Sequence, residues 1–324
     1  MKNLTNRPDL SRLVLNLPKK ILILIIPLYL LFANAILHAE ENVPPWVLFQ
    51  RAMNLYNQRN FGDAFKLLRS ATERNEYPEA EYWIGRIFEN EGENALALRQ
   101  YERALAISYK AESDEFYIAV LLSIADIYEK QRKYNLYEET LLKIINDVKR
   151  AAKGDMTYER VLGDRLMDSG LDRTIYLFRY ELDALIKPYG EIGIYYLKNA
   201  RDRVAIQYLV SAVIIIFTRL IEANRDYDPQ YEYTNIRTLF LDSEKENKTR
   251  EYMTESELYK YLFFLTLALD NLGEISQSRE LFTLLSESSV RNNYADISLR
   301  IRNSDFSSNY KDGVKRALLF TQED

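Results

Sequence analysis

Two neighbouring stretches of this chain, residues 45–77 and 78–110, repeat each other at one constant offset in the sequence. Both begin with proline, which suits a first helical turn because its missing N–H is not needed there. Small and large residues then recur at the same offset, as Ala52 and Gly85, Ala64 and Ala97, Leu68 and Tyr101, and Ala71 and Ala104. Several matches at one offset indicate that the chain uses the same structural element twice.

Each stretch predicts a pair of antiparallel helices. In the second copy, apolar residues form one stripe over 79–90, Gly92 breaks the helix, and helical spacing resumes over 94–108. Neither helix buries its stripe alone, so a pair needs neighbours of its own kind. The chain has only 10 Gly and 8 Pro, which also favours long helices over a β fold.

The second copy resembles the tetratricopeptide repeat. Five residues stand at that repeat's alternating small and large positions: Gly85, Phe88, Ala97, Tyr101 and Ala104. The resemblance implies stacked helix pairs whose concave groove is lined by the first helix of each pair and binds peptides or other proteins. We therefore expect an all-α fold: a right-handed α-solenoid of tetratricopeptide-like helix pairs behind an N-terminal signal or anchor helix.

Further copies of the pair are predicted with less regular spacing. The third needs a shift of 40 and precedes a linker over 149–155, and the fourth is degenerate because Asp168-Ser169-Gly170 breaks it. The predicted pairs are 45–77, 78–110, 115–148, 156–187, 189–221 and 254–287. The predicted domain boundaries are 1–39 for a signal peptide or uncleaved anchor, 40–303 for the solenoid and 304–324 for a polar tail.

Residues 204–221 are unusually apolar for a repeat helix. They include Gln207, Ser211 and Arg219, so we interpret them as a helix packed on several sides rather than as a membrane span.

The polar stretch 222–253 is predicted to leave the array, with one short helix around 234–241. A capping box over 254–257, in which Thr254 and Glu257 satisfy free backbone N–H groups, is then expected to open the last pair. A terminal helix over 290–302 is expected to close the array.

The N-terminus predicts the compartment. Five Lys and Arg residues precede the apolar run 21–32, and small residues follow up to Ala39, an order typical of a secretory signal. An uncleaved anchor is the open alternative, because the 17 apolar or small residues of 21–37 approach the ~20 that span a bilayer. Both interpretations place the body in the periplasm or on the extracytoplasmic face of the inner membrane, since the basic flank stays inside.

Charge and composition exclude several classes of function for the part of the chain after residue 39. Residues 1–39 carry five Lys/Arg and one Asp, so the rest of the chain has a net charge of −9 against −5 for the whole, which argues against nucleic-acid binding. The chain has no Cys, and its one His, His38, lies in the signal region. Ser–His and Cys–His nucleophiles are therefore excluded from the body. We expect no enzyme, no cofactor and no metal site.

The groove implied by the resemblance supplies the candidate binding residues. In the first pair they are Trp46, Phe49, Met53 and Tyr56, and in the second they are Tyr82, Arg86 and Asn90. One family subtype binds C-terminal carboxylates with Lys and Asn where this chain has Phe49 and Met53, so the resemblance implies no such clamp here. An aromatic, Met-containing wall suits a peptide with apolar anchors. Alternatively, Trp46 and Phe49 close the N-terminal end of the solenoid.

These features favour a non-enzymatic scaffold of the bacterial cell envelope that binds a protein or peptide partner in its groove. The membrane is contacted only through the N-terminal segment, and the oligomeric state stays open. The alternative is a small-molecule or lipid-handling protein with a cavity inside the helical array, near Val210, Ile214 and Phe217.

Overall fold

In the computed structural model, the described residues are 43–113, 115–153, 157–228 and 230–303. Their regular elements are α-helices and short 3-10 turns, with no strand in this part of the chain, so the all-α prediction is confirmed. The signal or anchor over 1–39 and the tail over 304–324 lie outside the described residues. The chain divides into two compact units, Met1–Ala111 and Glu112–Asp324, which we call unit 1 and unit 2.

The described part of unit 1, residues 43–111, contains two helix pairs and a final 3-10 turn at Ser108–Lys110. The helices of these pairs are α1 (Pro45–Asn57), α2 (Phe61–Arg74), α3 (Pro78–Asn90) and α4 (Asn94–Ala106). Helix α3 begins and ends at the positions that the offset of the sequence repeat predicts from the bounds of α1.

The small repeat positions of unit 1 lie where helices approach closely. Ala52, Ala64, Ala97 and Ala104 are all fully buried. A methyl group added at Gly85 would stand 2.6 Å from Cε1 of the buried Tyr101 ring, so only glycine fits at this position. The Tyr101 ring on α4 therefore fills the space beside Gly85 on α3, an arrangement that we call a knob and a hole.

Unit 2 contains ten α-helices among its described residues. They are α5 (Phe116–Lys130), α6 (Tyr134–Ala151), α7 (Tyr158–Leu177), α8 (Ile186–Lys198), α9 (Asp202–Tyr227), α10 (Ile236–Lys245), α11 (Asn247–Glu255), α12 (Leu258–Leu272), α13 (Ile275–Ser286) and α14 (Asn293–Asn303). A 3-10 turn at Asp183–Leu185 precedes α8.

One type of turn joins the helices of five pairs, two in unit 1 and three in unit 2. In each turn a residue in the left-handed region donates its N–H to the carbonyl three residues back, and the next N–H reaches the carbonyl five residues back. This is the Schellman arrangement that satisfies the last carbonyls of a helix. The left-handed residues are Arg59, Gly92, Arg132, Ala200 and Gly273, with φ from 55° to 83°.

The knob and hole of unit 1 recur in unit 2. Gly193 on α8 and Leu209 on α9 have the same spacing in the sequence as Gly85 and Tyr101. A methyl group at Gly193 would stand 2.6 Å from Cγ of Leu209. The pair α8–α9 is thus packed in the same way as α3–α4.

The predicted linker over 149–155 begins inside a helix. Helix α6 continues to Ala151, and Lys149 is buried with 1 % exposure. Its Nζ lies 2.6 and 2.7 Å from the two carboxylate oxygens of the buried Glu159, which also accepts a hydrogen bond from Tyr189. This ion pair ties the end of α6 to the start of α7, so a Lys that looks solvated in the sequence is structural.

Residues 158–177, given one label as α7, are helical on both sides of a non-helical residue, Gly170. Gly170 lies at the break predicted by Asp168-Ser169-Gly170 and has φ 79° and ψ 169°, so the two helical segments meet at a kink without a loop. After Leu177 the chain runs without a helix to the 3-10 turn at Asp183–Leu185.

The predicted capping box is wrong. Helix α11 extends to Glu255, so Thr254 is helical and its hydroxyl donates to the carbonyl of Arg250 (3.0 Å). The single short helix predicted around 234–241 is replaced by α10 and α11, and Asn235 caps α10 by accepting from the N–H of Thr238 (2.8 Å).

Helix α9 forms the centre of unit 2. It packs against α7, α8 and α12. Among the described residues, one helical segment, Asp202–Asp226, is long and apolar enough by composition to cross a membrane, and 78 % of its most apolar window is buried. The burial agrees with the prediction that 204–221 is a core helix.

Candidate functional site

The first helices of the two pairs in unit 1 lie side by side. The Tyr56 ring on α1 packs edge-on against Trp83 on α3, with centroids 4.8 Å apart. Asn90, at the end of α3, donates a hydrogen bond from Nδ2 to the Tyr56 hydroxyl at 2.7 Å. The surface formed by α1 and α3, which we call the first-helix face, carries all seven candidate binding residues.

The candidate binding residues on α1 differ in the solvent exposure of their side chains. Trp46 is 55 % exposed, whereas Phe49, Met53 and Tyr56 are half-buried. Phe49 packs edge-on against Tyr77, with centroids 5.2 Å apart. Trp46 therefore offers the largest free aromatic surface on α1, and Phe49 has part of its ring committed to the fold.

The side chains of the candidate residues Tyr82 and Arg86 on α3 contact other side chains of unit 1. Tyr82 packs on Trp83 and Tyr101. Arg86 is half-buried, with Nε 3.9 Å from Oε2 of Glu89, the oxygen that accepts a hydrogen bond from Tyr101 at 2.7 Å.

The charge on Arg86 is balanced within the unit. Burial opposes it, but the surrounding Tyr82, Tyr101 and Glu89 raise the pKa of Arg86 above its ordinary value. Burial and the Glu89 hydrogen bond raise the pKa of Tyr101, so this phenol stays a neutral donor. Arg86 is thus a less available anchor for a ligand than its sequence position suggests.

An open cleft of about 470 Å³ lies at the C-terminal ends of α1 and α3. It is lined by Tyr56, Asn57, Arg59, Phe61 and Asn90. The sequence pattern assigns no binding role to Arg59 or Phe61, because Arg59 lies in the turn after α1 and Phe61 begins α2, the second helix of the pair. The available signal was the repeat itself, since Arg59 holds the position in the first copy that Gly92 holds in the second.

No protein-family model matches the chain. It is similar to an uncharacterized protein of Treponema pallidum, with 21 % identity over 233 residues. A second similar protein, uncharacterized as well, comes from Borreliella burgdorferi, with 19 % identity over 257 residues. Each match covers 71 % of this chain; it covers 62 % of the Treponema protein and 79 % of the Borreliella protein. The chain thus spans less than two thirds of the Treponema relative.

Further clefts lie among the described residues of unit 2. One, of about 670 Å³, is lined by residues of α7, α10 and α13 that include Asp172, Arg237 and Glu280. Burial and the nearby Asp172 raise the pKa of Glu280. Two more have volumes of about 530 and 320 Å³. In the described part of the chain, no group of three or more His, Asp or Glu side chains is placed to hold a metal ion.

Proposed function

We propose that this protein is a non-enzymatic, tetratricopeptide-like scaffold of the bacterial cell envelope that binds a peptide segment of a protein partner on its first-helix face. Two observations support the tetratricopeptide-like class. The offset of the sequence repeat recurs in the bounds of α1 and α3, and the small and large positions interlock in both α3–α4 and α8–α9. The proposed architecture is the right-handed α-solenoid that such pairs form.

The observation that carries the binding role is the exposure of aromatic surface along one face beside an open cleft. Trp46 is more than half exposed, and Tyr56 forms part of the cleft wall. Trp and Tyr are enriched among the residues that dominate binding energy at protein interfaces, because they bury much apolar surface and keep a polar group. An extended or helical peptide with apolar anchors matches this surface.

The alternative of a small-molecule or lipid cavity has less support. Val210, Ile214 and Phe217, near which the cavity was expected, are each at most 1 % exposed. They line none of the four clefts described above. The scaffold role is therefore the one we propose.

A peptide array tests the binding role. Short peptides of varied sequence are probed with the full-length chain in detergent micelles, and the bound set is compared with that of Trp46→Ala. Because a buried aromatic anchor contributes about 1–2 kcal/mol or more, we expect affinity to fall by about tenfold. Tyr109→Ala is the matched control, since Tyr109 is also in unit 1 and is 77 % exposed. An array without selective binding, or equal losses in both variants, would contradict the proposal.

The location is a separate part of the proposal. The N-terminal segment 1–39 is expected to export the body, either as a signal cleaved after Ala39 or Ala35 or as a retained anchor. N-terminal sequencing of protein recovered from envelope fractions distinguishes these three outcomes. Recovery of the intact chain from the cytosol would remove the envelope role and leave the peptide-binding role standing.

A further inference from the structure

The cleft at the end of the first-helix face is rich in hydrogen-bond donors. Of its five lining residues, Arg59 is positive and the other four are neutral, so no carboxylate opposes an anion there. The Tyr56 hydroxyl accepts from Asn90 Nδ2, which leaves its own proton to be donated. The Asn57 side chain is exposed beside it.

Arg59 differs from the other arginine of this face. Arg86 is half-buried, and its Nε lies 3.9 Å from Glu89 Oε2 without a hydrogen bond. Arg59 is exposed, and within the described residues its side chain makes no ion pair or hydrogen bond. Its guanidinium is therefore the uncompensated positive charge of the cleft.

The backbone at Arg59 is unfavourable for any residue except glycine. Its φ is 60°, and the equivalent residue of the next pair is Gly92, with φ 80°. The left-handed region costs a non-glycine residue about 1 kcal/mol or more. Glycine would remove this backbone strain, but the residue at position 59 is an arginine. Its cationic side chain lines the open cleft.

An apolar wall adjoins these donors. The rings of Tyr56 and Phe61 pack with centroids 5.2 Å apart, and both line the cleft. The cleft has a volume of about 470 Å³ and is open to solvent, so a side chain of a peptide can reach it. The combination of a cation, neutral donors and aromatic carbon suits an anionic group next to an apolar one.

We infer that this cleft binds the carboxylate of an Asp or Glu side chain that stands next to an apolar residue in the partner peptide. The inference rests on the proposed function, which it deepens by naming the chemistry of the anchor. Arg59 forms the ion pair, the neutral donors of the cleft complete the hydrogen bonds, and the apolar neighbour packs on Phe61 and Tyr56. Charge-assisted hydrogen bonds to a carboxylate are stronger than neutral ones, so this contact selects the sequence that binds.

The test uses matched peptide pairs on the array. Each peptide that binds the full-length chain is compared with versions that carry Glu or Gln at each position, with free or amidated C-termini. We expect a preference of about tenfold for Glu over Gln at a position next to an apolar residue. The preference should vanish in Arg59→Gly and Arg59→Asn and be partly retained in Arg59→Lys.

Arg59→Gly separates binding from folding. Glycine prefers the left-handed backbone, so the variant should unfold at the same temperature as the native chain or higher. Arg132→Gly is the control, because Arg132 occupies the same turn position in unit 2 with φ 58° and should keep the Glu preference.

The outcomes are distinguishable. Peptides that bind without a Glu preference, or with one that persists in Arg59→Gly and Arg59→Asn, would overturn the inference and leave the proposed function intact. A preference that follows a free C-terminus rather than a side chain would overturn the assigned source of the carboxylate. Absence of any peptide binding would overturn both.

Discussion

Unit 1 and unit 2 use the same helix pair but fill their interiors differently. Every described α-helix of unit 1 belongs to a pair, and Gln100 is the single buried polar residue among those described there. In unit 2 the pairs are interrupted by α7, α10 and α11 and followed by α14, and the interior holds charged groups such as Lys149, Glu159 and Glu244. Regular stacking lets small and large apolar residues interlock. Interrupted stacking leaves backbone ends that polar side chains must satisfy.

Glu244 illustrates this second mode. The Glu244 carboxylate accepts hydrogen bonds from the N–H and hydroxyl of Ser289 (2.8 and 2.9 Å), from Ser288 and from the Tyr259 hydroxyl (3.1 Å). It thereby holds the segment after α13 against α10. A pair that stacked directly on another pair would need no such group.

The largest expected difference between the units is their response to alkali. Burial raises the pKa of Tyr101 in unit 1, but it raises the pKa of several tyrosines in unit 2, to about 12 for Tyr158 and further for Tyr189 and Tyr261. An unfolded tyrosine ionises near pH 10, so the stability gained by keeping these phenols neutral is present below pH 10 and is lost as the pH rises through 10 to 12.

The tryptophans allow the units to be followed separately. Both Trp residues, Trp46 and Trp83, are in unit 1, so their fluorescence reports on that unit, while far-ultraviolet circular dichroism reports on all helices. We expect part of the helical signal to disappear at a lower pH than the one at which the fluorescence changes. Coincident transitions would contradict this difference between the units.

Removing a buried charge should affect unit 2 nearly as strongly. In Lys149→Met, the Glu159 carboxylate stays buried without its cation, which typically costs about 3–5 kcal/mol. Urea unfolding measures the loss. The double variant Lys149→Met/Glu159→Gln should recover part of it. The control in unit 1 is Lys66→Met. Lys66 and Asp63 form an exposed ion pair, which should contribute no measurable stability. Comparable losses from Lys149→Met and Lys66→Met would show that Lys149 is not buried as described.

Overpacking should affect the two units equally. Gly85→Ala and Gly193→Ala each place a methyl group 2.6 Å from a large side chain, so we expect each to lower the free energy of unfolding by about 1–3 kcal/mol. Gly62→Ala, with open space around its position, should cause no loss. A clear loss in only one of the first two would mean that α3–α4 and α8–α9 are packed differently.

The smallest predicted effects come from the shared turn. Ala200→Gly should raise the free energy of unfolding by about 1 kcal/mol, because glycine adopts the left-handed backbone without strain. Gly92→Ala should lower it by a similar amount. Thermal melts of both variants check these opposite signs, and changes of the same sign would indicate that the two turns are not equivalent.

The sequence repeat predicted the helices of unit 1 closely, because small and large residues at fixed spacing are a local signal. It also placed the meeting of α12 and α13 at Leu272-Gly273, where glycine marks the turn. Arg59, Arg132 and Ala200 occupy the same turn without any composition signal, so Arg59 was not assigned to the candidate site. The burial of Lys149 and the role of Glu244 depend on partners 10 and 45 residues away, which no local pattern contains.

Helix α9 sets a condition on the export that we propose. A secretion channel would receive the chain from its N-terminal end, so α7 and α8 would emerge before α9, while α12, which packs on α9 in the folded unit, would emerge after it. In that interval a 25-residue apolar segment would be open to the lipid beside the channel. Each Ile, Val or Leu near the centre of such a segment favours insertion by about 0.3–0.6 kcal/mol. Under the proposed export, delivery of an intact unit 2 therefore requires translocation of α9 to be faster than its lateral insertion.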